Sequence, residues 1–134
     1  MLVLFSDTDT DMTPEIAKEY GYRLISMPYS VDGRNIYPYV DFEKFDCHEF
    51  YEMLRAGTIP NTSALNEEEY INYFKPVFEA GDDILYVHFS RQMSGTFAAM
   101  DRAVARLKAE YPERSFYAID TRGISILSLN VALE

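Results

Sequence analysis

With 134 residues, 48% of them apolar and 25% charged, the chain is long enough for one domain with a core, and is neither disordered nor fibrous. The net charge of -10, from 12 Lys and Arg against 22 Asp and Glu with no basic stripe, argues against nucleic acid and against an anionic membrane surface as partners. A single cysteine, Cys47, excludes an internal disulfide, and His48 and His88 stand in no zinc-ligand pattern. No apolar run approaches the length of a membrane span and the first residues lack the features of a secretory signal, so a cytoplasmic protein without stable membrane insertion is the expectation.

In chain order, Leu2 to Phe5 reads as a buried strand, and the polar stretch "SDTDTDM" follows it. A helix is punctuated by Thr13 as N-cap, Pro14 at its first position and Gly21 just past its end. Arg23 to Val31 reads as a second strand, with Asp32-Gly33 as a turn, and "NIYPYV" as a short extended piece broken by Pro38. Asp46 and Glu49 frame a capping box for the next helix, which Gly57 stops. After the loop "TIPNTSALN", Asn66 and Glu69 mark another helix start; the helix runs toward Gly81, and Pro76 is expected to kink or split it.

"DDILYVHFS" is the strongest strand, ending at Ser90. Phe97, Met100, Val104, Leu107 and Tyr111 then recur at helical spacing, which predicts one buried helix face. "SFYAID" reads as a fourth strand, "TRG" as a turn, and "ISILSLNVALE" as the beginning of a helix. No capping residue or glycine stands near Glu134, so the expectation is a domain from a longer protein. The alternation of strands and helices predicts an α/β fold, a parallel sheet flanked by helices on both faces.

Ligands of open parallel sheets bind beyond the carboxyl ends of the strands. "SDTDTDM", "SRQMSGT" and "DTRG" all follow strands and are expected on that one edge; Thr62 and Ser63, in a loop that precedes a helix, are further candidates for it. Ser94 and Thr96 have an ordinary reading as helix caps. Gly95 between them lets a ligand approach the backbone, and hydroxyls with free N–H groups at a helix start grip a carboxylate or phosphate. Asp7, Asp9 and Asp11 fail as a calcium loop, with Met12 at its sixth position and Lys18 at its twelfth, and read as solvated carboxylates. There is no G-x-S-x-G elbow, His88 lies in an apolar strand and reads as a packed histidine, and Cys47 reads as structural. The 15% aromatic content suits either a core or an apolar ligand.

Together, "SDTDTDM", the Thr-Ser of "NTSALN", "SRQMSGTFAAM" and "IDTRGIS" resemble the DegV family in order and spacing, over essentially the whole chain. The most specific piece is Ser-x-x-x-Ser-Gly-Thr, from Ser90 to Thr96. The resemblance implies a bacterial fatty-acid-binding protein, of which residues 1–134 form the N-terminal α/β domain, with a second domain, absent from this sequence, closing over a tunnel for one acyl chain. It implies that Thr62 and Ser94 hydrogen-bond the carboxylate of a long-chain fatty acid, and that Ser63, Gly95 and Thr96 support the site. It implies a carrier without cofactor or metal, not an enzyme; some members present the fatty acid to the catalytic subunit of a fatty acid kinase. The sequence departs from the family in carrying Ala64-Leu65-Asn66 where Gln-Pro-Ser is common, and Leu127 and Leu129 where glycines are frequent.

A competing resemblance is to the D-x-D loop of haloacid-dehalogenase-like phosphatases, with Asp7 as nucleophile, Asp9 as general acid and Mg²⁺ offsetting their charge. It is weakened by Asp11 where Thr or Val is usual, and by the lack of the downstream lysine and acidic motifs.

Overall fold

The strand-forming runs pair as a parallel sheet in the computed structural model, which describes all residues from Met1 to Glu134. Its strands are β1 (Leu2–Asp7), β2 (Tyr22–Ile25), β6 (Asp83–His88) and β7 (Phe116–Asp120), in the order β2-β1-β6-β7. The helices of this part are α1 (Pro14–Tyr20), α3 (Glu67–Glu79), α4 (Thr96–Glu110) and α5 (Ile126–Leu133). With them the sheet forms one compact unit, Met1–Ile25 and Leu65–Glu134; Ser26–Ala64 form a second.

Helices cover both faces of the sheet, as its near-continuous apolar strands require. On one face Phe74 of α3 packs edge-on against Phe5 of β1, at 5.4 Å between ring centroids, and meets Phe116 of β7 at 5.0 Å. Phe97, Met100 and Leu107 of α4 are buried, as their spacing predicts, while Val104 and Tyr111 are half-buried. On the other face Met12, Ala17, Val87, Leu129 and Ala132 form a separate cluster. There the Tyr22 hydroxyl donates to the Ala132 carbonyl at 2.6 Å and holds the end of α5.

At α1 and α3 helix punctuation is realised as the sequence predicts. The Thr13 hydroxyl accepts from Ile16 N–H, and Gly21 closes α1 at φ 76°. At α3 both halves of the capping box form: the Asn66 side chain accepts from Glu69 N–H at 3.0 Å, and the Glu69 carboxylate accepts from Asn66 N–H at 2.7 Å. Replacing Asn66 by Ala should lower stability by about 1 kcal/mol in urea unfolding, while Asn66→Ser should retain most of it.

Three readings are corrected. Residues 23–31 are not one strand. β2 ends at Ile25, Ser26-Met27-Pro28 break the run, and Tyr29–Val31 form β3 in the other unit. Pro28 offers no N–H to a ladder, so the extended run cannot continue as one sheet strand through it. Pro76 does not split α3, which is continuous from Glu67 to Glu79 around it. The helix is held by burial of Tyr70, Phe74, Val77 and Phe78, which outweighs the missing amide. Finally, α5 begins at Ile126, after Ser125 at φ 60°, because the Ser125 amide is drawn to the Asp9 carbonyl at 2.8 Å.

The second unit contains β3, β4 (Arg34–Ile36), α2 (Cys47–Arg55) and β5 (Asn61–Thr62). Its antiparallel sheet runs β4-β3-β5. Asp32 at φ 50° and Gly33 at φ 77° turn the β3–β4 hairpin, both with the positive φ that a type I′ turn requires. Only half of the expected capping box forms at α2, where the Asp46 carboxylate accepts from Glu49 N–H at 3.0 Å. Phe50 of α2 packs edge-on against Tyr29 of β3, at 6.1 Å.

Candidate functional site

The three loops predicted at the carboxyl edge of the sheet are joined there by hydrogen bonds. Ser90 N–H donates to the Gly123 carbonyl at 2.7 Å, Thr121 N–H to His88 at 3.1 Å, and Ser125 N–H to Asp9 at 2.8 Å. The Ser125 hydroxyl also donates to the Asp11 carboxylate. Ser90 and Asp7 cap the two short 3₁₀ turns that lead away from β6 and β1, Ser90 accepting from Gln92 N–H and Asp7 from Asp9 N–H.

Ser94, Gly95 and Thr96 form the turn into α4, and the two hydroxyls behave differently. Ser94 Oγ accepts from Thr96 N–H at 3.1 Å and is half-buried. It thus satisfies one first-turn amide while keeping its own proton for an acceptor in front of the helix. Thr96 is buried at 1% exposure; its hydroxyl donates to the Leu65 carbonyl at 3.2 Å. That commits its one proton, so the Tyr70 hydroxyl, 2.9 Å away, is the donor to Thr96 Oγ1. Thr96 is therefore an anchor beneath the turn, and Ser94 is the hydroxyl available to a ligand. Gly95 has an ordinary helical φ of -71°, and a Cβ built there would meet nothing within 4 Å. Backbone strain is not its role; the space before it is open.

Thr62 and Ser63 belong to the second unit. The sequence places both in a loop, whereas Thr62 pairs with Tyr29 on β5 and Ser63 N–H donates to the Pro28 carbonyl at 3.3 Å. Thr62 is exposed and Ser63 half-buried. This unit also holds a cavity of about 320 Å³, whose apolar walls are Tyr29, Ile36, Phe42, Phe45, Phe50 and Met53.

The aspartate loop is not uniformly solvated as expected. Asp11 is exposed, but Asp7 is 0% exposed at the end of β1. Its carboxyl accepts from the Tyr86 hydroxyl at 2.9 Å, from Asp9 N–H at 3.0 Å and from Phe89 N–H at 3.4 Å. Burial dominates over these donors and, with the Asp9 charge, pushes its pKa up to about 7. Asp9 is raised to about 6, by burial and then by the neighbouring Asp11 charge. The phosphatase reading fails on this geometry: Asp7 is sealed from any substrate, and no three His, Cys, Asp or Glu side chains are grouped to hold a metal ion.

His88 is a packed histidine, as expected, lying 4.3 Å from the Phe97 ring. Its Nδ1–H donates to the Phe89 carbonyl at 2.7 Å, and Nε2 is buried without a partner. Burial holds the imidazole below its ordinary pKa, so it is neutral. Nothing in its sequence context distinguishes that orphaned nitrogen from an ordinary core position. The Tyr70–Thr96 anchor was equally illegible, since 26 residues separate its partners.

The fold and this edge define an open parallel α/β domain whose carboxyl edge presents hydroxyls, backbone amides and a helix N-terminus. The family model described as "Uncharacterised protein, DegV family" matches residues 1–134, and the chain belongs to the DegV family. A DegV domain-containing protein of Clostridium perfringens is 28% identical over 120 residues, covering 90% of this chain and 41% of that protein. A stearic acid-binding protein from Eubacterium ventriosum superposes with a TM-score of 0.85 at 20% identity, over 98% of this chain and 45% of that one. A fatty-acid-binding DegV family protein from Thermus thermophilus gives a TM-score of 0.78 at 23% identity, over 98% and 45% of the two chains. The chain thus spans less than half the length of these relatives, and the structural likeness establishes the shared fold. No helix is long and apolar enough to cross a membrane.

Proposed function

We propose that this chain is the N-terminal domain of a fatty-acid carrier, with the Ser94–Thr96 turn as its carboxylate-binding element. The observation that carries the reading is the division of labour in that turn: Thr96 is anchored from below by Tyr70 and Leu65, Ser94 keeps a free proton, and Gly95 leaves the approach open. The turn opens a helix of 15 residues, whose N-terminal dipole favours an anion although the chain is acidic overall. Exposed Met93, Ile124, Ile126 and Leu127 flank the same loops and offer apolar surface to an alkyl chain. Burying that chain contributes about 0.8 kcal/mol per CH₂.

The family supports the ligand class, since relatives of this fold bind stearic acid and other fatty acids. By resemblance to the family, Thr62 is a second hydroxyl donor and Ser63 its support. The role is that of a carrier in the cytoplasm, handing a long-chain fatty acid to a separate kinase subunit, without chemistry of its own.

The test is a titration of the chain with a long-chain fatty acid, alone and extended by the second half of a DegV protein. Ser94→Ala and Thr62→Ala should each weaken binding about tenfold or more, the effect of losing a hydrogen bond to a charged group. Unchanged affinity in both variants of a form that binds would overturn the site.

A further inference from the structure

Asp7 stands two residues after Phe5 on β1 and so faces the same side of the sheet, the side covered by α3 and α4. There it belongs to a polar cluster beneath the carboxyl edge that lies wholly within the sheet unit. Its Oδ2 accepts from the Tyr86 hydroxyl at 2.9 Å and from Phe89 N–H at 3.4 Å, one residue before Ser90 begins the turn that leads to Ser94. The Tyr86 ring lies 6.2 Å from Phe74, and Phe74 stacks at 5.8 Å on Tyr70, whose hydroxyl is 2.9 Å from Thr96 Oγ1. Burial first, and then the charges of Asp7, Asp9 and Glu69, raise the pKa of that hydroxyl against the Thr96 hydrogen bond. The field of Asp7 and Asp9 therefore extends to the base of the Ser94–Thr96 turn. Of the other ionisable groups around Asp7, Tyr86 is held well above its ordinary pKa by burial and stays protonated, and burial keeps His88 neutral. Arg23 on β2 stands over the Phe5 ring at 6.0 Å, and Arg91 is paired with Asp101. The first turn of α4 has no acidic group, and α5, which packs on the turn after β1, has no ionisable side chain.

We infer that Asp7 couples the carboxylate site to pH: an anion bound at the Ser94–Thr96 turn draws a proton from solvent onto Asp7, and affinity falls as Asp7 ionises. The coupling rests on the reading of that turn as the carboxylate-binding element. Two carboxylates in one poorly solvated region do not both ionise without cost. In the free chain the Asp7 carboxyl is already raised to about 7, and a second negative charge raises it further. Near neutrality the bound state thus holds a proton that the free state has released, and by linkage the loss of that proton weakens binding. The fold accommodates the proton in place. Oδ2–H donates to the Tyr86 hydroxyl, which turns to accept it, while Oδ1 keeps the Asp9 N–H at 3.0 Å. Asp9, half-buried and raised to about 6, adds to the effect in the lower part of the range.

The probe is decanoate, ionised above about pH 6 as simple carboxylates are, with decanol as its uncharged counterpart. In whichever form binds fatty acid, the chain alone or extended by the second half of a DegV protein, decanoate affinity should fall about tenfold between about pH 6 and pH 8.5, a coupling of ordinary size between two sites. Decanol affinity should stay level, which separates an effect of charge from a general loosening of the fold. Calorimetry at about pH 7.5, in buffers of different ionisation enthalpy, should show proton uptake with decanoate and none with decanol. Asp7→Asn should abolish the uptake and hold decanoate affinity near the low-pH value of the wild type throughout. Tyr86→Phe removes a donor that lowers the Asp7 pKa and should move the fall in affinity to higher pH. Circular dichroism on each variant checks that it is folded. A decanoate affinity independent of pH in the wild type, or the same fall in Asp7→Asn, overturns the coupling and leaves the carboxylate site standing. If neither decanoate nor a longer acid binds at any pH, the reading of the turn fails and the coupling with it.

Discussion

Phe74→Ala is expected to lower the unfolding free energy by about 3–5 kcal/mol, the usual cost of truncating a fully buried aromatic. Phe74 is 0% exposed and is the ring through which α3 reaches the sheet. It lies 5.4 Å from Phe5, 6.2 Å from Tyr86 and 5.0 Å from Phe116, which belong to β1, β6 and β7. It also stacks on Tyr70 at 5.8 Å, the side chain that steadies Thr96. Urea denaturation should show the loss as a lower midpoint with an unchanged slope. Phe74→Leu should lose substantially less, because it leaves a smaller cavity. A loss below 1 kcal/mol for Phe74→Ala would contradict the packing described.

Asp7 should make the protein less stable as pH rises from about 4 to about 7. Its carboxyl has an ordinary value of 3.8 and is raised to about 7 in the fold, so across that window the folded state holds a proton that the unfolded chain has released. Folding is favoured most by this group below its ordinary value; that advantage is lost as pH approaches 7, and above 7 the cost levels off. A rise of about three pKa units corresponds to roughly 4 kcal/mol. Asp9, raised to about 6, adds to the same slope. His88 acts the other way: its neutral form is favoured by burial, so acid below 6.5 favours unfolding there.

Asp7→Asn separates these contributions. Toward Tyr86 the amide imitates the protonated acid, its NH₂ donating to the Tyr86 hydroxyl, at the loss of the long 3.4 Å hydrogen bond from Phe89 N–H. The variant should match the wild type near pH 4 and be more stable by a few kcal/mol at pH 7.5, with a flatter profile between. Equal stability of the two proteins at every pH would show that Asp7 is not the titrating group.

The local signals in the sequence translated directly into structure. Thr13, Pro14 and Gly21 bound α1, and Asn66 with Glu69 cap α3, because a cap is a contact between residues three or four apart. The run "DDILYVHFS" became the central β6 because a strand covered on both faces has little choice but to be apolar throughout. The gathering of three loops at one edge was also legible, since parallel connectivity places every β-to-α loop on the same side.

What failed were readings in which a local rule met a non-local one. Residues 23–31 contain enough β-forming residues for one long strand, yet the chain changes unit at Ser26 and pairs its two pieces with different partners. Pro76 is a helix breaker by itself, but the helix around it is held by its buried face. Asp7 looks in sequence like the first of three equivalent loop carboxylates, and only the closing of Tyr86 and Phe89 over it separates it from Asp11.

By itself, then, the sequence determined the class of fold, the alternation of the parallel strands with their helices, the caps of α1 and α3 and the polar turn at the head of α4. These follow from periodicity and from contacts between near neighbours, which a linear pattern carries. Tertiary structure alone decided which of the Ser94 and Thr96 hydroxyls is committed and which is free, and that Asp7 is buried with its pKa raised to about 7. Those properties depend on groups distant in the chain, Tyr70, Leu65 and Tyr86 among them, and the physical quantities involved, burial and the allocation of a proton, exist only once the chain has closed around them.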